Sequence, residues 1–256
     1  MEIPQNELLE TAIAAARKAG TFALANWHRR TEVKGSAAHD IKLQMDVETQ
    51  RVAEGVVFDH FPGHAILGEE DRTDQDSPYT WIIDPIDGTL NYARGMQHWC
   101  TSIAVQHRGE IIAGCVYCPT YDECFCATRD GPALCNDAPI RISATADLHE
   151  ATALFGPGKP EAPAEFDTRI FHALINSCRI ARLLGAAAID ICTVAAGRAD
   201  AYVDMGIYLW DFAAAGLIAE RAGAHITRFP EMKPHQHAYL CTNGHLHERL
   251  NALYAL

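Results

Sequence analysis

The sequence predicts a mixed α/β fold, because helical and strand-like periodicities alternate along its 256 residues. The strand candidates are short apolar runs closed by Gly or Pro, and the helix candidates repeat their apolar residues every three or four positions. With 48% hydrophobic residues, the chain can bury one sizeable domain or two compact halves.

Asn6 to His28 reads as a packing helix, with Leu9, Ile13, Ala16, Ala19 or Gly20, and Ala23 in one stripe. Thr31 to Lys42 has no periodicity and contains Lys34-Gly35-Ser36, so it reads as a mobile segment. A second helix follows Asp46 and continues to Phe61, with apolar positions at 52, 56 and 57. Asp46 itself is a favoured helix N-cap. Ala65-Ile66-Leu67 is a short strand that ends in Gly68-Glu69-Glu70-Asp71. Trp81-Ile82-Ile83 is a buried strand broken at Pro85 and Gly88, and Asn91 to Gly95 is a loop. Cys100–His107 and Ile111–Tyr117 form a meander, and Glu123–Thr128 pairs back on the second of them across Pro119-Thr120-Tyr121-Asp122. This half, 1–148, is expected to be α+β.

The second half, 149–256, opens on a surface loop from Gly156 to Pro163. A helix over Asp167–Ser177, a strand over Cys178–Arg182 and a helix opened by Gly185-Ala186-Ala187-Ala188 and reaching Gly197 come next. Ala201-Tyr202-Val203 is a short strand, and Asp211–Ala222 is a helix closed by Gly223.

The chemistry concentrates at Trp81-Ile82-Ile83-Asp84-Pro85-Ile86-Asp87-Gly88-Thr89. Asp84 and Asp87 can converge across the break, and a hard divalent ion such as Mg2+ prefers carboxylate and carbonyl oxygens. Ile86 can add its carbonyl, Gly88 admits close backbone approach, and Thr89 places a hydroxyl where it could orient water. A bare Asp-Pro turn would explain the same residues as a strand terminator. The flanks favour a site: Glu69 ends another strand, and Asp211 begins an alanine-rich helix.

Gly68-Glu69-Glu70, Asp84-Pro85-Ile86-Asp87-Gly88-Thr89 and Trp210-Asp211-Phe212-Ala213-Ala214-Ala215-Gly216 resemble the signature segments of the inositol monophosphatase family, Mg2+-dependent and lithium-sensitive phosphatases. The resemblance runs from the first helix to about Asn243. It implies a layered αβαβα sandwich of the inositol monophosphatase / fructose-1,6-bisphosphatase type, two or three Mg2+ ions and a homodimer. It further implies metal ligation by Glu69, Asp84, Ile86, Asp87 and Asp211, and water activation by Asp46 with Thr89, assisted by Glu69. Substrate contacts would come from Asp87, Gly88, Thr89, Gly185, Ala186, Ala187, Asp204 and Asp211. The implied reaction is hydrolysis of a small sugar or cyclitol phosphate, myo-inositol 1-phosphate first, with fructose 1,6-bisphosphate or histidinol phosphate as alternatives. A non-catalytic metal or inositol-phosphate binding protein is the alternative of another class. The aspartyl-phosphate phosphatases place one residue between their two aspartates, and here Pro85 and Ile86 make two.

A formal net charge of −12 argues against a nucleic-acid surface, which needs clustered Lys and Arg. The expected partner is a small phosphate ester. The polar, acidic start and the absence of any run near ~18 apolar residues predict a cytoplasmic protein without a membrane span. Nine scattered cysteines read as reduced thiols. Strand alternation sends Cys115 and Cys118 to opposite faces and Cys124 and Cys126 to one face, which makes no zinc knuckle. His235, His237, His245 and His247 read as solvated surface.

Overall fold

Apolar side chains occupy both faces of each large sheet, and burying four faces stacks the molecule into five layers. The computed structural model describes residues 2–37, 40–73, 75–158 and 168–252. Helices α1 (Gln5–Ala25) and α2 (Gln44–His60) form the outer layer. Beneath them lies a seven-stranded sheet in the order β3 to β9: Ala65–Gly68, Tyr79–Asp87, Cys100–His107, Glu110–Cys118, Glu123–Thr128, Leu134–Cys135 and Ala138–Pro139. Its pairings are antiparallel except β3 with β4. The middle layer is α5 (Ala187–Ala195) and α6 (Leu209–Arg221). A five-stranded sheet follows, built from β10 (Thr152–Gly156), β11 (Ile180–Arg182), β12 (Ala201–Tyr208), β13 (His225–Lys233) and β14 (Gln236–Thr242), in the order β11-β10-β12-β14-β13. Helices α4 (Arg169–Ser177) and α7 (His247–Asn251) close the stack. This is the predicted αβαβα sandwich.

Alternation along β4 decides which residue meets which layer. Trp81 and Ile83 join α1 and α2 in one core, whereas Ile82 joins α5 and α6 in the other. The middle core mixes Ile82, Ala104 and Val116 from the first sheet with Ile191, Ala214 and Leu217 from the middle helices and Tyr202 from the second sheet. Residues on either side of position 148 therefore share one interior.

Helix α6 rests closely on β6. A Cβ at Gly114 would stand 2.9 Å from Ala214 Cα and 3.1 Å from its carbonyl oxygen, and backbone cannot step aside. Gly114→Val is expected to cost about 1–3 kcal/mol, the usual range for overpacking. A lowered denaturant midpoint at unchanged m would report it.

The structure departs from the sequence reading in several places. The segment read as mobile contains an antiparallel pair, β1 (Val33–Ala37) with β2 (Asp40–Leu43). The loop expected at 91–95 is α3 (Thr89–Arg94), a single short helix entered through Gly88 in the left-handed conformation at φ 88°. Of the loop expected over Gly156–Pro163, Gly156 belongs to β10, and positions 159–163 lie outside the described residues. Strands β13 and β14 were not anticipated. His237 and His247 are half-buried there rather than solvated: His247 sits between the hydroxyls of Thr227 and Thr242 at 2.9 and 3.0 Å, and His237 lies 2.9 Å from the Phe229 carbonyl. His235 is likewise half-buried, while His245 is exposed as expected. Cys115, Cys124 and Cys126 share the α1 side of the sheet and Cys118 faces the middle layer, as alternation required. No described helix is long and apolar enough to cross a membrane.

Candidate active site

Asp84 and Asp87 stand three positions apart, an odd step that would point them to opposite faces of a regular strand. The strand is not regular. Asp84 pairs with Ser102 and Asp87 with Cys100, so β4 spends three steps where β5 spends two. The extra residue is a β-bulge, and it brings the two carboxylates back to one side. Pro85 fits there because a bulge residue owes no ladder hydrogen bond; its carbonyl accepts from Thr101 Oγ1 at 2.8 Å. The expected turn is thus a bulged strand end, with Asp84 Oδ1 accepting from Ile86 N at 3.1 Å.

Asp211 arrives from the middle layer. It is the third residue of α6, and its Oδ2 accepts from Tyr208 N at 2.7 Å, so the carboxylate folds back over the helix start. Ligand oxygens of Asp84, Asp87 and Asp211 lie within 4.8 Å of one another, and all three residues are buried. Burial and the nearby Asp211 push the Asp87 carboxyl well above the usual carboxylate range. Its two oxygens also accept from Ala187 N at 3.1 Å and Ala188 N at 2.7 Å, where α5 begins. Three buried acids this close call for a cation, and an all-oxygen donor set suits Mg2+.

Glu69 lines the same cavity from the end of β3 but stands outside the 4.8 Å trio; its backbone N–H is held by the Ile83 carbonyl at 3.0 Å. Ile86 also lines the cavity. Asp46 repeats the Asp211 arrangement at the third residue of α2, accepting from Leu43 N at 2.7 Å, but does not line the cavity. The expected hydrogen bond between Thr89 and Asp46 is not made: the Thr89 hydroxyl donates to the Ile86 carbonyl at 3.0 Å. Gly88 is required by its surroundings as well as its φ. A Cβ there would lie 3.0 Å from the His98 carbonyl oxygen and from Ala186 Cβ.

The cavity holds about 500 Å3, and Gly185, Ala186 and Ala187 run along one wall. Asp204 lines another, with Oδ2 accepting from Tyr202 OH at 2.5 Å and Oδ1 from Gly206 N at 2.8 Å. Burial raises its carboxyl to about 7. Gly156 leaves the space it needs, since a Cβ there would fall 1.6 Å from Asp204 Oδ2. The sequence reading missed Asp190, which lines the cavity one helical turn beyond Ala186 and Ala187 and pairs with His98 Nε2 at 2.8 Å. The i, i+3, i+4 spacing from Ala187 and Ala186 was a usable signal; the partner, 92 residues away, was not.

The inositol monophosphatase family model matches residues 4–255. A relative named Nus factor SuhB from Vibrio cholerae is 38% identical over 229 residues, 87% of this chain and 85% of the relative. The solved inositol monophosphatase from Anabaena superposes with a TM-score of 0.85 at 30% identity, covering 98% of this chain and 96% of that one. The extragenic suppressor protein suhB from Bartonella henselae gives a TM-score of 0.87 at 27% identity, covering 96% and 98%. Sequence, site and fold agree, and the chain belongs to the inositol monophosphatase family of phosphatases.

Proposed function

We propose that this protein is a Mg2+-dependent phosphomonoesterase for a small sugar or cyclitol phosphate, with myo-inositol 1-phosphate as the leading substrate. The observation that carries the reading is the trio of buried carboxylates beside a cavity that fits one small ring. Asp84, Asp87 and Asp211 would hold the metal, with Glu69 and the Ile86 carbonyl completing the ligand set of two or three ions. When bound, Mg2+ supplies charge neutralisation for the phosphoryl group and lowers the pKa of water.

The chain's own residues then position the reactants. Thr89 donates to Ile86, which leaves its oxygen free to accept a hydrogen bond from the attacking water. Participation of Asp46 requires the Thr89 hydroxyl to turn away from Ile86 as substrate arrives. Gly88 and Thr89 would offer backbone N–H groups to phosphate oxygens, and the wall from Gly185 to Ala187 would lie along the ring. Phosphoryl transfer of this kind needs positioning and charge compensation, and no covalent nucleophile.

The test is phosphate release from myo-inositol 1-phosphate, fructose 1,6-bisphosphate, histidinol phosphate and 3′-phosphoadenosine 5′-phosphate, each with Mg2+, with chelator and with added Li+. The expected result is fastest release from inositol 1-phosphate, abolished by chelator and suppressed by Li+. A different leading ester keeps the metal chemistry and replaces the substrate. The name of the Vibrio cholerae relative supports a second reading, in which this protein acts as a Nus factor. A folded, Mg2+-stabilised protein that hydrolyses none of the four would put that reading first.

A further inference from the structure

Asp204 is the carboxylate that family resemblance assigns to a substrate hydroxyl, yet both of its oxygens already accept strong internal hydrogen bonds, from Tyr202 OH and Gly206 N. A second carboxylate in the same cavity is differently placed. Asp190 is 99% buried by side-chain area, lines the cavity, and has Oδ1 fixed by His98 Nε2 at 2.8 Å. No described residue donates a hydrogen bond to Asp190 Oδ2.

Asp190 Oδ2 is not fully enclosed, unlike Asp46 Oδ1; it keeps access to the cavity, where a ligand hydroxyl can take the place of water as its donor. Asp190 shares a helix face with Ala186 and Ala187, so its oxygen opens onto the wall along which the ring is proposed to lie. The carboxylate is also held rigidly. His98 is anchored through its own carbonyl, which accepts from Asn91 Nδ2 at 2.8 Å, and the same amide reaches the Leu184 carbonyl at 2.8 Å, just before the α5 turn. Helix α3, His98 and the start of α5 are therefore tied into one unit around this oxygen. An ionised carboxylate accepts hydrogen bonds and donates none, so the group it selects must carry a hydroxyl or amine proton.

We infer that Asp190, clamped by His98, accepts a hydrogen bond from a hydroxyl of the leaving group and so selects polyol phosphates over esters that lack a second hydroxyl. The inference rests on the phosphatase reading above. It names a specificity residue that neither the sequence reading nor the resemblance supplies.

The test compares kcat/KM for myo-inositol 1-phosphate with kcat/KM for phenyl phosphate, which carries no hydroxyl on its leaving group, in wild type, Asp190→Ala, Asp190→Glu and His98→Gln. For Asp190→Ala the ratio of the two is expected to fall about 10- to 100-fold, the value of one hydrogen bond to a charged group. The loss should appear mainly in KM for the polyol ester. Asp190→Glu, which keeps the acceptor, and His98→Gln, which keeps a donor to Oδ1, should each restore part of the ratio. An unchanged ratio in Asp190→Ala, or equal losses on both esters with partial unfolding in the melting curve, would overturn the assignment in favour of a packing role. Wild-type turnover of phenyl phosphate with Mg2+ separates the two ideas: if it occurs and the ratio does not move, only the Asp190 inference fails. If wild type turns over neither ester, the phosphatase reading fails and takes the inference with it.

Discussion

Asp84→Asn is expected to lower kcat by about 1,000-fold at every Mg2+ concentration while raising the melting temperature of chelator-treated protein. The first effect follows from removing a charge-stabilising ligand at the reacting centre. The second follows from electrostatics in the absence of metal: three carboxylates lie within 4.8 Å in a buried site, and deleting one charge relieves their mutual repulsion. An Asn side chain keeps the acceptor that Asp84 offers to Ile86 N, so little packing is lost. Mg2+ at 100 times its Kd should stabilise wild type by about 2.7 kcal/mol and the variant by much less. Asp87→Asn should be equally inactive but not stabilised, since its oxygens accept from both Ala187 N and Ala188 N and an amide can satisfy one of them. Steady-state phosphate release and thermal melts with and without Mg2+ decide the matter. Wild-type turnover in either variant would remove the trio from the reaction.

Trp81→Ala is expected to cost about 3–5 kcal/mol, among the largest values for a core truncation. Trp81 is fully buried in β4, three residues ahead of Asp84, and packs beneath α1 and α2. Its Nε1–H donates to His64 Nδ1 at 3.0 Å, inside a stack in which Phe61, His64 and Tyr79 lie 4.7 and 4.8 Å apart. Truncation would open a cavity and strip His64 of its donor. For a chain of this size the melting temperature should fall roughly 6–20 °C. Burial of the same His64 makes wild-type stability depend on pH. Burial lowers the His64 pKa below 6.5, so the unfolded chain takes up the proton first, and stability present above pH 6.5 is lost as pH falls through the lower folded value. His64→Gln should flatten that acid limb. A limb of unchanged slope would show that other groups set it.

Much of this molecule was legible before any coordinates. The stripe of Leu9, Ile13, Ala16 and Ala19 marked α1 as a helix, although its deepest residues include Leu8 and Ala12, with Leu9 and Ile13 half-buried at the edge; the apolar run at Trp81–Ile83 defined β4 because both of its faces are buried. The candidate ligands Asp84, Asp87 and Asp211 were named from residue type and from their place at element ends, which is local information. Helix α3 was missed because six residues after a left-handed Gly carry too few turns for a periodic signal. Strand β13 was missed because it is mostly exposed and interrupted by Pro230, so its side chains lack the alternation that marks a half-buried strand.

The sequence by itself determined most of the element types, the family and three candidate acidic ligands, since periodicity and motif spacing are properties of short stretches. Only the tertiary structure decided how those ligands meet. The bulge at Pro85 puts Asp84 and Asp87 on one face through pairing with a strand more than ten residues away, and layer stacking delivers Asp211 from the other half of the chain. The same holds for the Asp190–His98 pair: its 92-residue separation leaves no local trace, because the energy that fixes it is released only when α5 packs against the end of the first sheet.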